Sequence, residues 1–336
     1  MERPLLEIKN LRTYFYTDTG VVKAVDGVSF DVPRRTTVGL VGESGCGKSV
    51  TARSILQIVP PPGKIVGGSI LYNDKNSHSI DLLRLHPKGE AIRHIRGKKI
   101  AMIFQEPMTC LSPVHTIGNQ IIESILLHEP NMGKTEARDK AIDLLREVGI
   151  PRPDRHIDAY PFELSGGMRQ RALIAVALAA DPELLIADEP TTAIDVTIQA
   201  KFLDLLRRLQ QERAMSILFI THDLGVIAEI SKEVVVMYLG KVVEKGKVED
   251  VYDHPRHPYT QALFKCIPHM DTPPKRILPT IKGSVPDPFS RPSGCPFSDR
   301  CPHMMEGICN LSIPPLVEVE KDHQVSCFLY TYREKD

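Results

Sequence analysis

The sequence predicts an α/β fold with a largely parallel sheet, and three stretches predict it. Thr37-Val38-Gly39-Leu40-Val41 is short, β-branched and apolar, and it runs through a glycine-rich loop into a helix-forming segment. Leu184-Leu185-Ile186-Ala187 is a near-continuous apolar run ending in two acids, the pattern of a strand covered on both faces. Ser216-Ile217-Leu218-Phe219-Ile220 repeats that pattern and ends at Thr221-His222.

The 336 residues are long for one domain and comfortable for two. Apolar residues make up 42% and charged ones 25%, as in an ordinary globular chain. Lys+Arg and Asp+Glu both number 42, so no basic excess argues for nucleic acid. The apolar run from Ala172 to Ala180 is about half of a membrane span. Met1-Glu2-Arg3-Pro4 leads into a strand-like segment with no apolar leader core, so a cytosolic chain is expected, held at a membrane only by partners.

Leu5 to Leu11 alternates like a half-wet strand, and Val21 to Phe30 reads as a second, giving an antiparallel β-layer before the glycine loop. Tyr14, Phe15 and Tyr16 lie between them; an aromatic there can stack on a base or simply pack. Gly42-Glu43-Ser44-Gly45-Cys46-Gly47-Lys48-Ser49 has the spacing of a phosphate-binding loop. Its glycines let backbone N–H groups face one anion, and the helix that follows, read over Ser49 to Val59, points its positive end there. Lys48 would reach the β- and γ-phosphates and the Ser49 hydroxyl a Mg²⁺ ion, so a nucleoside triphosphate is the expected ligand.

Gly67 to Tyr72 reads as a turn and strand, and Lys98 to Phe104 as a buried strand ending at Gln105. Ile117 to Gly149 turns helical. Leu164-Ser165-Gly166-Gly167-Met168-Arg169-Gln170-Arg171 then opens an apolar helix, a second anion-accepting terminus with small side chains. Asp188 at its strand tip suits a Mg²⁺-linked carboxylate, and Glu189 suits a base that polarises water. Thr191 to Asp195 is a loop, Val196 to Gln211 an amphipathic helix, and Val234 to Val243 a closing hairpin. His222 ends its strand as Gln105 and Asp188 end theirs, which suggests a γ-phosphate sensor.

Eleven of the 27 prolines lie between Pro255 and Pro302, so the tail reads as loops held by something other than a core. Four of seven cysteines, Cys295, Cys301, Cys309 and Cys327, fall in the last 42 residues. Four thiols in so small a segment suggest a metal centre; the spacing lacks close C-x₂-C pairs, and both zinc and an iron–sulfur cluster stay open on the residues alone. Cys46, Cys110 and Cys266 read as ordinary thiols.

Taken in order, GESGCGKS, Gln105, LSGGMRQR, LLIADEP, the Thr191–Asp195 loop and Thr221-His222 resemble the ATP-binding subunit of an ABC transporter over residues 5–260. The resemblance implies a RecA-like P-loop core, an antiparallel β-subdomain and a helical signature subdomain near 106–180, with the domain boundary at 260 and a loop-rich metal-cluster domain over 261–336. It implies that Phe15, Gly42, Ser44, Gly45, Cys46, Gly47, Lys48, Ser49, Val50 and Asp188 hold ATP, with Mg²⁺ on Ser49 and Gln105. Glu189 would be the base and His222 the γ-phosphate bridge. Ser165, Gly166 and Gly167 would act on ATP bound to a second ATPase subunit, and Asp195 would pair across that dimer. Ile194 stands where the family usually has Leu, and Arg34-Arg35-Thr36-Thr37 lacks the usual Gly-Glu. Gln105 to Thr109, Leu111-Ser112-Pro113 and His257-Pro258-Tyr259-Thr260 resemble the peptide-importer group, whose members carry a [4Fe–4S] cluster on this cysteine pattern. The expectation is an ATPase subunit at the cytoplasmic membrane face, coupled through residues 105–130 to two permease subunits, with a related sister ATPase and, indirectly, a peptide-binding protein. A nickel importer subunit and a soluble, non-transport ABC ATPase are the alternatives.

Overall fold

The computed structural model describes residues 3–74, 78–105, 110–191, 195–266 and 280–331. The expected coupling residues 106–109, the loop residues 192–194 and the proline-rich stretch 267–279 lie outside the described residues. The first elements are β1 (Leu6–Thr17), β2 (Gly20–Val32), β3 (Thr37–Val41), α1 (Lys48–Ile55), β4 (Gly63–Asn73), β5 (Ser79–Asp81), α2 (Glu90–Ile95) and β6 (Ile100–Ile103). Then come α3 (Ile117–His128), α4 (Lys134–Glu147), α5 (Pro153–His156), α6 (Gly166–Leu178), β7 (Leu184–Asp188), α7 (Val196–Glu212) and β8 (Ser216–Thr221). The chain closes with α8 (Leu224–Ile230), β9 (Glu233–Tyr238), β10 (Lys241–Lys247), α9 (Val248–Asp253), α10 (Pro258–Lys265), β11 (Val317–Glu320), β12 (His323–Val325) and α11 (Phe328–Thr331).

These elements form two compact units, Met1–Leu6 with Val32–Thr37 and Leu71–Ile220, and Glu7–Asp31 with Val38–Ile70 and Thr221–Asp336. In the first unit β6, β7 and β8 run parallel, with Ile100 opposite Leu184 and Leu184 opposite Ser216. Every residue of β7 and β8 is buried, which is why both read as near-continuous apolar runs. Each such Leu, Ile or Phe contributes about 1.5–3 kcal/mol by leaving water. The helical run expected over 117–149 is two helices, because Pro130 falls after His128 and has no N–H for a continuing turn. Helices α3, α4 and α6 pack on one another, and Ile121, Ile125, Ala141, Leu145, Ile174 and Leu178 on them are buried. The turn that departs from the family pattern still forms: Arg35 takes φ +53°, its N–H donates to Ser216 Oγ at 2.9 Å, and Gln210 donates to its carbonyl at 2.8 Å.

In the second unit β1 and β2, joined by the Asp18-Thr19 turn, stand in the order β2–β1–β4. Strand β3 pairs parallel with β9, and β9 turns through Leu239-Gly240 into antiparallel β10. Helix α1 stops at Ile55, short of the expected Val59, because Gln57 is left-handed at φ +51° and three prolines follow from Pro60. The tail is not loops alone. Strand β12 pairs antiparallel with β10, and β11 with β12. The alternation Val317-Glu318-Val319-Glu320 carried this signal, but its ladder partner lies far away in the sequence. Beneath it Glu244, fully buried, accepts from His323 Nε2 at 2.8 Å and from the N–H groups of Arg256 and His257 at 2.7 and 2.9 Å.

Candidate functional site

The glycine loop follows a wholly buried strand, so β3 fixes where it starts. A Cβ at Gly42 would lie 2.2 Å from the Met237 carbonyl oxygen, and one at Gly47, at φ +101°, would lie 2.3 Å from that of Ala24. Only glycine lets the backbone pass that closely. Ser44 and Gly45 are exposed at the loop's crest, while Cys46 is buried beneath it and its thiol is pushed up by that burial. Lys48 opens α1 and is 4% exposed; its ammonium donates to the carbonyls of Gly42 at 2.7 Å and Glu43 at 3.2 Å. A cation held under the loop by its own carbonyls completes a cradle for a polyphosphate. Ser49 and Val50 follow on the first turn of α1 and are half-buried. Phe15, half-buried on β1, lies against Gly63, where an added Cβ would stand 2.8 Å from its ring.

In the other unit the tip of β7 carries the acids. Asp188 is buried and Glu189, just past the strand, takes φ +47° while its N–H donates to Ile220 O at 2.9 Å. The Glu189 carboxylate accepts from Gln105 Nε2 at 3.1 Å, which brings the ends of β6 and β7 together. His222 directly follows β8 and is exposed.

Ser165 caps α6 by accepting from Met168 N–H at 3.3 Å, and Asp195 caps α7 by accepting from Ile198 N–H at 2.9 Å. Both caps, with Gly166 and Gly167, line one groove of about 460 Å³. Gln170 on α6, which sequence reasoning passed over, is buried and donates to Pro190 O at 3.1 Å, tying the capped helix to the loop after Glu189. A polar residue on the apolar side of α6 was the available signal.

The four tail cysteines line a single small pocket together with His257, Phe297 and His303. Burial pushes the Cys295 thiol up to about 11 and the Cys327 thiol up to about 12, and the neighbouring cysteines add to both shifts. Among the described residues no group of three or more His, Cys, Asp or Glu stands close enough to hold a metal ion.

The ABC transporter family matches residues 25–192, and the family described as the oligopeptide/dipeptide transporter C-terminal region matches residues 243–309. The oligopeptide transport ATP-binding protein AppD of Bacillus subtilis is 49% identical over 327 residues, covering 97% of this chain and 97% of that protein. The chain belongs to the ABC transporter family. The dipeptide transport ATP-binding protein DppD of Bacillus subtilis is 46% identical, covering 98% and 96%, and a probable peptide ABC transporter ATP-binding protein of Sinorhizobium fredii is 47% identical, covering 96% and 94%. The dimeric structure of the bacterial ABC transporter cassette MJ0796 superposes with a TM-score of 0.63 at 26% identity, over 72% of this chain and 98% of that one. The fold is therefore that of an ABC ATPase cassette, and the chain is an ABC-type ATPase. Among its described residues no helix is long and apolar enough to cross a membrane.

Proposed function

We propose that this ABC ATPase powers import of di- or oligopeptides. The observation that carries the reading is the pairing of a cassette with the peptide-transporter C-terminal region on one chain, at 46–49% identity to AppD and DppD over nearly its full length. In this reading the loop N–H groups with Phe15, Lys48, Ser49 and Val50 bind ATP, and Glu189 takes the proton of the attacking water. Gln105 orients Glu189, supported by their 3.1 Å hydrogen bond, and His222 reads the γ-phosphate. A hydroxyl and a carboxylate, Ser49 and Asp188, with the Gln105 amide oxygen, are the hard oxygen donors that suit Mg²⁺. Bound there, the ion neutralises phosphate charge.

Two ATPase subunits, this chain and a related sister, would close head to tail, with Ser165, Gly166 and Gly167 covering the ATP of the partner and Asp195 pairing across the seam. The open groove beside those residues supports this. Two permease subunits at the cytoplasmic membrane face would receive the motion through residues 105–130, where Val114 and Leu127 are 73% and 74% exposed. Residues 261–336 would form a C-terminal Cys-rich domain carrying a [4Fe–4S] cluster on Cys295, Cys301, Cys309 and Cys327. The convergence of all four thiols on one pocket supports it, since a cluster of several irons holds its thiolates farther apart than one ion does. When bound, the cluster would cross-link the tail loops.

Affinity-tagged protein extracted from membranes should bring down two polytopic subunits and a second ATPase. Recovery as a lone ATPase that ignores peptide-loaded binding protein would sink the import reading. Iron and acid-labile sulfide in stoichiometric amounts should accompany anaerobically purified protein; stoichiometric zinc without iron would overturn the cluster.

A further inference from the structure

Glu43, the second residue of the phosphate loop, is held at three points within one compact unit. Its N–H donates to the Tyr259 hydroxyl at 2.9 Å, and its carbonyl accepts from Lys48 at 3.2 Å. Its carboxylate accepts from both terminal nitrogens of Arg300, at 2.8 and 3.2 Å. The Arg300 side chain is only 5% exposed and also donates to the Tyr238 hydroxyl at 3.2 Å. Beneath the pair, Tyr238, Tyr259 and Phe297 pack ring against ring with centroids 4.6 to 5.4 Å apart. His257 fixes the start of α10 by accepting from Tyr259 N–H at 3.0 Å. Three of these anchors, Tyr259, Phe297 and Arg300, lie beyond residue 258, outside the loop motif itself.

A phosphate loop accepts anions only while its N–H groups converge, and a carboxylate on that loop opposes an incoming triphosphate unless it is neutralised. A bidentate guanidinium does both, fixing the side chain and cancelling its charge. We propose that Arg300 and Tyr259 are positioning residues for nucleotide binding, reaching from the C-terminal segment to lock Glu43 and hold the phosphate loop ready for ATP. This rests on the reading of that loop as the ATP site.

The test is MgATP affinity by titration calorimetry on the full chain, with steady-state kcat and KM and a melting curve for each variant. Arg300→Met should raise Kd and KM roughly tenfold while kcat at saturating ATP stays within about twofold, since the clamp does not touch the reacting atoms. Arg300→Lys should recover most of the affinity. In a Glu43→Gln background, Arg300→Met should change Kd by less than about twofold, the mark of two groups acting through each other. If Arg300→Met does not fold, Tyr259→Phe removes only the hydroxyl and should still weaken binding about threefold. Wild-type affinity in folded Arg300→Met and Tyr259→Phe, or penalties that simply add in the double variant, would overturn the clamp and leave the ATP site standing. A wild-type chain that binds no MgATP would instead overturn the site itself.

Discussion

Glu189 holds its backbone at φ +47°, a conformation that costs a non-glycine residue about 1–3 kcal/mol. What the strain secures is direction: the residue turns off the end of β7, donates its N–H to Ile220 O and meets Gln105 at 3.1 Å. Glu189→Gln keeps that shape and removes the base. It should leave ATP binding within about threefold while lowering kcat roughly 10²–10⁴-fold, measured by calorimetry and phosphate release. Retained turnover would take Glu189 out of the role. Lys48→Ala removes the ammonium that bridges the carbonyls of Gly42 and Glu43 under the loop. ATP affinity should drop about 100-fold, read by titration. The identities of Lys48, Gln105 and Glu189 could be read locally. The left-handed turn at Glu189 could not, because glutamate carries no preference for it.

At the scale of elements, the two capped helices are separable from the function they frame. Asp195→Ala removes the hydrogen bond to Ile198 N–H and should lower stability by about 1 kcal/mol, a fall in Tm of roughly 2–4 °C, even in the isolated subunit. A strand-level charge conflict is testable by pH. Burial, with Asp31 nearby, pushes the Glu233 carboxyl above its ordinary value at the start of β9. A raised carboxyl favours the folded state below its unfolded pKa and loses that contribution as pH rises through the folded one. At pH 7 the charge therefore opposes folding, and Glu233→Gln should raise Tm by about 2 °C, a gain that fades as pH falls toward 4. A gain independent of pH would show that packing, not charge, is responsible. The buried strands β3, β7 and β8 were legible because short, near-continuous apolar stretches such as Leu184–Ala187 and Ile217–Ile220 need two covered faces. The tail strands β11 and β12 were obscured by the surrounding prolines, which speak for loops wherever a ladder partner is not yet known.

For the whole molecule, the proposed head-to-tail dimer makes a prediction that no single chain can satisfy. Glu189→Gln protein should form an ATPase dimer with its sister subunit on adding MgATP, measured by light scattering. Adding Ser165→Arg should abolish the dimer and leave ATP bound to the isolated subunit. A monomeric complex in the first case would remove the partner-facing role of Ser165, Gly166 and Gly167. What the residues by themselves determined is the chemistry at each strand end: a lysine behind three glycines, an amide, two acids and a histidine. Burial of a parallel strand is written in its own five residues, and the group at its tip follows in the next one or two. What only the tertiary structure decided is who stands beside whom. Four cysteines scattered over 33 positions share a pocket, and Arg300 reaches Glu43 across 257 positions of chain. No local periodicity encodes such a meeting, because the free energy that brings those groups together is supplied by the sheets and aromatic rings between them.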